Sequence, residues 1–156
     1  FVPGAGHGYD ALLLAEYGHQ VVAVDFAANA VDHLRERARQ RELAVEAHHS
    51  DIFSFMEHPA ASYDAVFEYT CFCAIDPALR PRYRDLVTHL VKPGGKLIMF
   101  AFPLQPFGGE GPPHTVEREQ LDALFASGWR QQLDTEPRTT PEPRRGKERV
   151  IVWQRE

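Results

Sequence analysis

Two kinds of residue near the start of the chain could act together: closely spaced glycines and carboxylates at strand ends. Val2-Pro3-Gly4-Ala5-Gly6-His7-Gly8-Tyr9-Asp10 sets three glycines at alternating positions, and the apolar run Ala11-Leu12-Leu13-Leu14-Ala15 follows. That is a strand end, a tight turn and a helix start. Glycine admits positive φ and lets a ligand approach the backbone, which a Cβ would block. The helix behind offers unpaired N–H groups and the positive end of its dipole. Asp25 closes the run Val21-Val22-Ala23-Val24, 17 residues after Gly8, and a carboxylate there can accept both hydroxyls of a ribose. Asp51, with Ile52 and Phe53 beside it, stands after the next strand-like segment. A carboxylate in that place meets an adenine amino group while apolar neighbours sandwich the ring.

The glycine spacing narrows the ligand. A dinucleotide site needs a glycine three residues after the second one, and Tyr9 stands there instead. G-x-G-x-G fits S-adenosylmethionine, which has no pyrophosphate to cradle. Tyr9 and Asp10 next to the loop, Phe26 next to Asp25, and Glu68 farther on complete the expected cofactor-binding set. His48 and His49 with Asp51 could suggest a metal, but adjacent strand residues point to opposite faces. Cys71 and Cys73 lack the second cysteine pair of a zinc site. No metal is expected.

The elements that must position these residues read as alternating strands and helices. Residues 11–17 form a helix closed by Gly18. The apolar run before Asp25 lacks alternation, which suits a parallel strand buried on both faces. Residues 29–42 are helical, with Val31, Leu34 and Ala38 inward and Arg35, Arg37, Arg39 and Arg41 on a solvated face. A short strand at 43–48 precedes Asp51. Residues 63–69 make a fourth strand, and Tyr69, Cys71 and Phe72 leave its carboxyl end, where they can wall an acceptor pocket. Asp76-Pro77 opens a helix with Tyr83, Leu86, Val87 and Leu90 inward, which Lys92-Pro93-Gly94-Gly95 stops. A fifth strand spans 96–102, and the long glycine- and proline-rich loop after it brings Pro112, Pro113 and His114 to the same edge. A helix over 116–127 and an antiparallel edge hairpin, 129–134 with 149–153, complete the chain. The basic, proline-rich segment 136–147 between the hairpin arms is expected to be exposed.

Composition sets bounds. The chain has 156 residues, 44% hydrophobic and 25% charged, with net charge −5 and two cysteines. One domain over 1–156 is expected. The acidic balance argues against a nucleic-acid partner, and no apolar run reaches the roughly 20 residues of a membrane span. The two cysteines in a strand-like context suggest reduced thiols and a cytoplasmic protein.

Taken together, the glycine segment, Gly18-His19-Gln20-Val21-Val22-Ala23-Val24-Asp25, Glu68-Tyr69-Thr70-Cys71-Phe72-Cys73-Ala74-Ile75 and Lys92-Pro93-Gly94-Gly95 resemble the thiopurine S-methyltransferase family, which includes thiol and halide methyltransferases. The resemblance covers residues 2–153. It implies an α/β, Rossmann-like sheet of seven strands, order 3-2-1-4-5-7-6 with strand seven antiparallel, and helices on both faces. It also implies S-adenosyl-L-methionine as cofactor and S-adenosyl-L-homocysteine as product. Only Phe1-Val2-Pro3 precede the glycines, so the first strand is expected to be truncated, with complementation within a homo-oligomer such as a dimer. The expected activity is methyl transfer to a small thiol, halide or similar soft nucleophile by in-line displacement; the alternative is a cofactor-binding subunit inactive alone. A thiolate or halide needs no general base, so no catalytic residue is assigned, and His114 is the first to test.

Overall fold

The unalternating run at residues 21–25 calls for parallel neighbours, and it has them. The computed structural model describes residues 1–156, which divide into two units, Phe1–Glu57 and His58–Glu156. In the first, β1 (Val2–Pro3), β2 (Val21–Asp25) and β3 (Val45–His49) form a parallel sheet in the order 3-2-1. The register sets Val2 opposite Ala23 and Asp25 opposite His49. Helices α1 (Tyr9–Glu16) and α2 (Ala28–Gln40) are the crossovers. α1 buries Ala11, Leu12 and Ala15, and α2 buries Ala30, Val31, Leu34 and Ala38, in each case one helical face. A 3-10 helix, Ile52–Glu57, returns Phe55 to this core, 5.0 Å from the ring of Phe1 and 5.3 Å from that of His48. α1 begins at Tyr9, ahead of the expected Ala11, because Gly8 at φ 75° caps it and its carbonyl accepts the N–H of Leu12 at 2.9 Å.

The second unit is a four-stranded sheet built from β4 (Tyr63–Glu68), β5 (Val91–Ala101), β6 (Trp129–Thr135) and β7 (Arg149–Arg155), in the order 4-5-7-6. β4 and β5 are parallel, while β7 runs antiparallel to both β5 and β6. The runs 3-2-1 and 4-5-7-6, and the antiparallel seventh strand, are those the resemblance implied. α3 (Arg80–Leu90) follows a 3-10 turn at Pro77–Leu79, capped by Asp76 accepting the N–H of Ala78 at 2.8 Å. It buries Tyr83, Leu86, Val87 and Leu90. α4 (Arg118–Leu124) leads to Phe125, which stacks on Trp153 at 4.9 Å and meets Trp129 edge-on at 5.8 Å. The Trp129 indole N–H donates to Thr88 Oγ1 at 3.0 Å, joining β6 to α3.

Two expectations need correction. Helix α4 is shorter than 116–127: Val116 is buried and its N–H is taken by the Pro103 carbonyl at 2.8 Å, so the segment stays extended until Glu117. The Lys92–Gly95 stretch is part of β5 rather than a stop before it. Tyr63 pairs with Val91 and Ala65 with Lys96, so Pro93 and the two glycines form a bulge. A Cβ on Gly95 would fall 2.7 Å from Val91 Cγ1 and 2.8 Å from the Asp64 carbonyl oxygen, which glycine alone avoids. No helix is long and apolar enough to cross a membrane.

Candidate functional site

At the carboxyl ends of β1 to β3 the backbone builds most of the geometry. Gly4 and Gly6 have φ of 58° and 52°, so the chain turns through a conformation that side-chain-bearing residues resist. Asp25, 8% exposed, reaches back to this loop: its Oδ2 accepts the Gly6 N–H at 2.7 Å and its Oδ1 the Ala27 N–H at 2.8 Å. The Asp25 carbonyl accepts from Ser50 N–H at 3.0 Å, and His49 Nε2 lies 3.0 Å from the Phe26 carbonyl oxygen. These bonds bring the glycine loop, Asp25, Phe26 and the Asp51 turn to one edge. Phe26 stands 82% exposed there. Asp51 Oδ1 accepts the Phe53 N–H at 2.9 Å and starts the 3-10 helix, whose Ile52 and Phe53 are buried.

Some members of the set are engaged elsewhere. A Cβ on Gly8 would fall 2.2 Å from Leu34 Cδ1, so that glycine serves packing against α2 as well as the turn. The Tyr9 ring lies under the Arg37 guanidinium at 4.9 Å. Asp10, in the first turn of α1, has its carboxyl pushed up by burial. His48 pairs with Glu46 at 2.9 Å, and no cluster of three or more His, Cys, Asp or Glu converges as a metal site.

In the second unit, the segment after β4 and the loop after β5 are tied together. The His114 N–H donates to the Cys73 carbonyl at 2.7 Å. Arg80, buried, donates Nη2 to the Thr115 and His114 carbonyls at 2.9 and 3.4 Å and lies 4.9 Å over the Phe72 ring. Burial lowers the pKa of this guanidinium. Gly111, at φ 100°, leaves room for the His114 imidazole, whose Nδ1 an added Cβ would approach to 2.5 Å. Pro112 and Pro113 carry the chain between them.

Glu68 governs the other side of the turn. It is 1% exposed; its Oε1 accepts the Phe72 N–H at 2.9 Å, and the Cys71 N–H also bonds this carboxylate. Burial pushes its pKa up to about 7, against the pull of those two N–H groups. Tyr83 lies beneath, its ring 5.3 Å from that of Phe72 and its hydroxyl buried without a hydrogen-bond partner. Burial, with Glu68 and Cys71 nearby, raises that hydroxyl's pKa. The Cys73 thiol is pushed up to about 11 by burial and then by Glu68, so it stays protonated and is no nucleophile. Glu68, placed by sequence with the cofactor set, holds the Tyr69–Cys73 turn in shape.

The segment 136–147 is largely exposed, as expected, but it lays the half-buried Arg144 and Lys147 over aromatic rings, which sequence reasoning missed. Arg144 lies 5.0 Å over the Tyr69 ring and 4.5 Å over that of Phe102, and Lys147 Nζ lies 4.9 Å over Phe107. Tyr69 meets Phe100 at 4.7 Å, and Phe102 meets Phe107 at 4.9 Å. The Leu104 N–H donates to the Lys147 carbonyl at 2.9 Å, clipping this loop to the segment leaving β5. These contacts set a cation over aromatic faces at the carboxyl ends of β4 and β5. The signal was present in Arg144-Arg145-Gly146-Lys147, a basic turn, but nothing local showed which rings it would cover.

Residues 1–156 match the family model described as thiopurine S-methyltransferase (TPMT). The probable thiol methyltransferase 2 of Arabidopsis thaliana is 32% identical over 161 residues, covering 99% of this chain and 68% of that protein. Thiocyanate methyltransferase 1 of Arabidopsis thaliana is 30% identical over 162 residues, with the same 99% and 68% coverage. Among solved structures, the 1,6-didemethyltoxoflavin-N1-methyltransferase of Burkholderia thailandensis, with S-adenosylhomocysteine bound, superposes with a TM-score of 0.74 at 20% identity. It covers 99% of this chain and 69% of that one. The chain belongs to the thiopurine S-methyltransferase family and is an S-adenosylmethionine-dependent methyltransferase.

Proposed function

We propose that this enzyme transfers the methyl group of S-adenosylmethionine to a small, soft anion: a thiolate, thiocyanate or halide. The observation that carries the acceptor class is Arg144 over the Tyr69 and Phe102 rings. The relatives' names, thiol and thiocyanate methyltransferase, describe acceptors of this kind.

The residues of the first unit fit the cofactor. A carboxylate has about four acceptor positions; Asp25 commits one oxygen each to Gly6 and Ala27 and keeps capacity for a ribose diol. Gly4, Gly6 and Gly8 would present backbone rather than side chains, with Phe26, Asp51, Ile52 and Phe53 toward the adenine. When bound, S-adenosylmethionine supplies a methyl group on a sulfonium centre, open to in-line displacement by the acceptor's lone pair.

An acceptor that arrives as an anion has no proton to lose. The chain must then hold it, orient it and exclude water, which are contributions of position rather than proton transfer. Arg144 supplies the charge, Tyr69 and Phe102 the polarisable walls, and Cys71, Phe72, Pro112, Pro113 and His114 border the same edge. Glu68 keeps the Tyr69–Cys73 turn fixed.

Steady-state assays with iodide, thiocyanate and benzenethiol test this. Wild-type enzyme should turn over at least one, and Arg144→Ala should raise the thiocyanate KM by about tenfold to a hundredfold, the loss of a charge-assisted contact. S-adenosylhomocysteine affinity should be unchanged. An unmoved KM in Arg144→Ala would overturn the anion reading.

A further inference from the structure

Glu148 is 3% exposed, and burying a carboxylate is costly unless something compensates. Two groups face it. Its Oε1 accepts from the Thr140 hydroxyl, and its Oε2 lies 3.9 Å from Arg144 Nη1. Neither Oε2 nor Nη1 has a hydrogen-bond partner, although both are buried. The guanidinium is thus held by charge and by contact with two rings, not by a hydrogen-bonded fork.

The backbone explains how the two residues meet. Arg145 has φ −56° and ψ 126°, Gly146 has φ 71°, and the Lys147 N–H donates to the Arg144 carbonyl at 2.9 Å. This is a type II turn, which requires positive φ at its third residue. It folds Arg144 back beside Glu148, the residue just ahead of β7. The remaining charges of the turn are committed elsewhere: Arg145 pairs with Glu142 at 2.5 Å, and Lys147 covers Phe107. Arg144 in turn draws the pKa of the Cys73 thiol down, against the effect of burial.

We propose that Glu148 is a positioning residue for methyl transfer: anchored by Thr140, it sets the Arg144 guanidinium over Tyr69 and Phe102 so that an anionic acceptor meets it in one orientation. This rests on the reading that Arg144 binds the acceptor. A merely structural carboxylate would affect stability and both substrates alike. A simple counter-charge would weaken anion binding, so its removal would lower the KM.

The test is a double-mutant cycle read in KM for thiocyanate, which remains an anion throughout the working pH range. Glu148→Gln keeps the shape and the bond from Thr140 but removes the charge. It should raise the KM about tenfold, with kcat and S-adenosylhomocysteine affinity nearly unchanged. In an Arg144→Ala background the same substitution should change nothing further. Thr140→Val, which removes only the anchoring hydroxyl, should move the KM the same way by about threefold, and it carries the test if Glu148→Gln does not fold. An unchanged or lowered KM in the variant that folds, or an effect persisting without Arg144, would overturn the proposal. If Arg144→Ala alone leaves the KM unmoved, the anion reading falls and this one with it. If Arg144→Ala raises it and Glu148→Gln does not, only the role of Glu148 is lost.

Discussion

Around Asp25 the main chain makes most of the geometry: three positive-φ glycines shape the loop, and the Asp25 carboxylate is fixed by N–H groups from Gly6 and Ala27. Around Arg144 the reverse holds. Rings from the exits of β4 and β5 and a cation from the β6–β7 connection make the surface, and the backbone contributes only the turn and the Leu104 clip. The first is encoded in a few consecutive residues and a strand end. The second depends on three segments far apart in the chain, so its tolerance to change should differ.

That contrast can be broken most sharply at Asp25. Asp25→Ala removes the acceptor for the Gly6 and Ala27 N–H groups and, on the proposed reading, for the ribose, and should weaken S-adenosylhomocysteine binding by about 2–4 kcal/mol. Calorimetry finding native affinity would mean the loop does not depend on its carboxylate. The next effect concerns Glu68. Its folded pKa of about 7 stands above the ordinary 4.5, so the native state holds the proton more tightly than the unfolded chain. The stability this contributes is fully present below pH 4.5 and lost as pH rises through 7. Glu68→Gln has no such proton, so denaturant titrations should show it gaining on wild type from pH 5 to pH 8. A constant difference would place the carboxylate in a more solvated setting than the turn provides.

Gly146→Ala sharpens the other half. Positive φ costs an alanine about 1 kcal/mol, and no atom lies within 4 Å of the added Cβ, so the penalty is purely conformational. The acceptor KM should rise about fivefold with cofactor affinity intact; parallel changes in both would erase the distinction drawn here. The smallest effect belongs to Trp129→Phe, which removes the indole bond to Thr88 while keeping an aromatic ring. A loss of about 1 kcal/mol in unfolding free energy, with both kinetic constants unchanged, is the expected result.

Much of the fold was legible because its signals are local and redundant. Val21-Val22-Ala23-Val24 lacks alternation, so it had to be a doubly buried strand, and Asp25 had to stand at its end. Tyr83, Leu86, Val87 and Leu90 mark one helix face whatever surrounds it. The failures share one cause: a tertiary contact overrode a local pattern. Val116 continues a plausible helix until the Pro103 carbonyl captures its N–H. Pro93-Gly94-Gly95 reads as a terminator, yet the β4 pairing draws it into a bulge. Arg144 sits in a stretch whose composition signals solvent, and the rings that it covers, Phe102 and Tyr69, are 42 and 75 residues away in sequence.

The clip between Leu104 and Lys147 bears on how such an enzyme can diversify. The β6–β7 connection is a hairpin tip, and pairing from Trp129 with Arg155 to Thr135 with Val150 fixes the strands beneath it. Insertions or deletions over residues 136–139 would be absorbed outside that ladder, and outside the turn that Leu104 fastens. The glycine loop has no such freedom, because one residue more or fewer would carry Gly6 away from Asp25 and Gly8 away from Leu34. The connection after β6 can therefore vary in length where the glycine loop cannot.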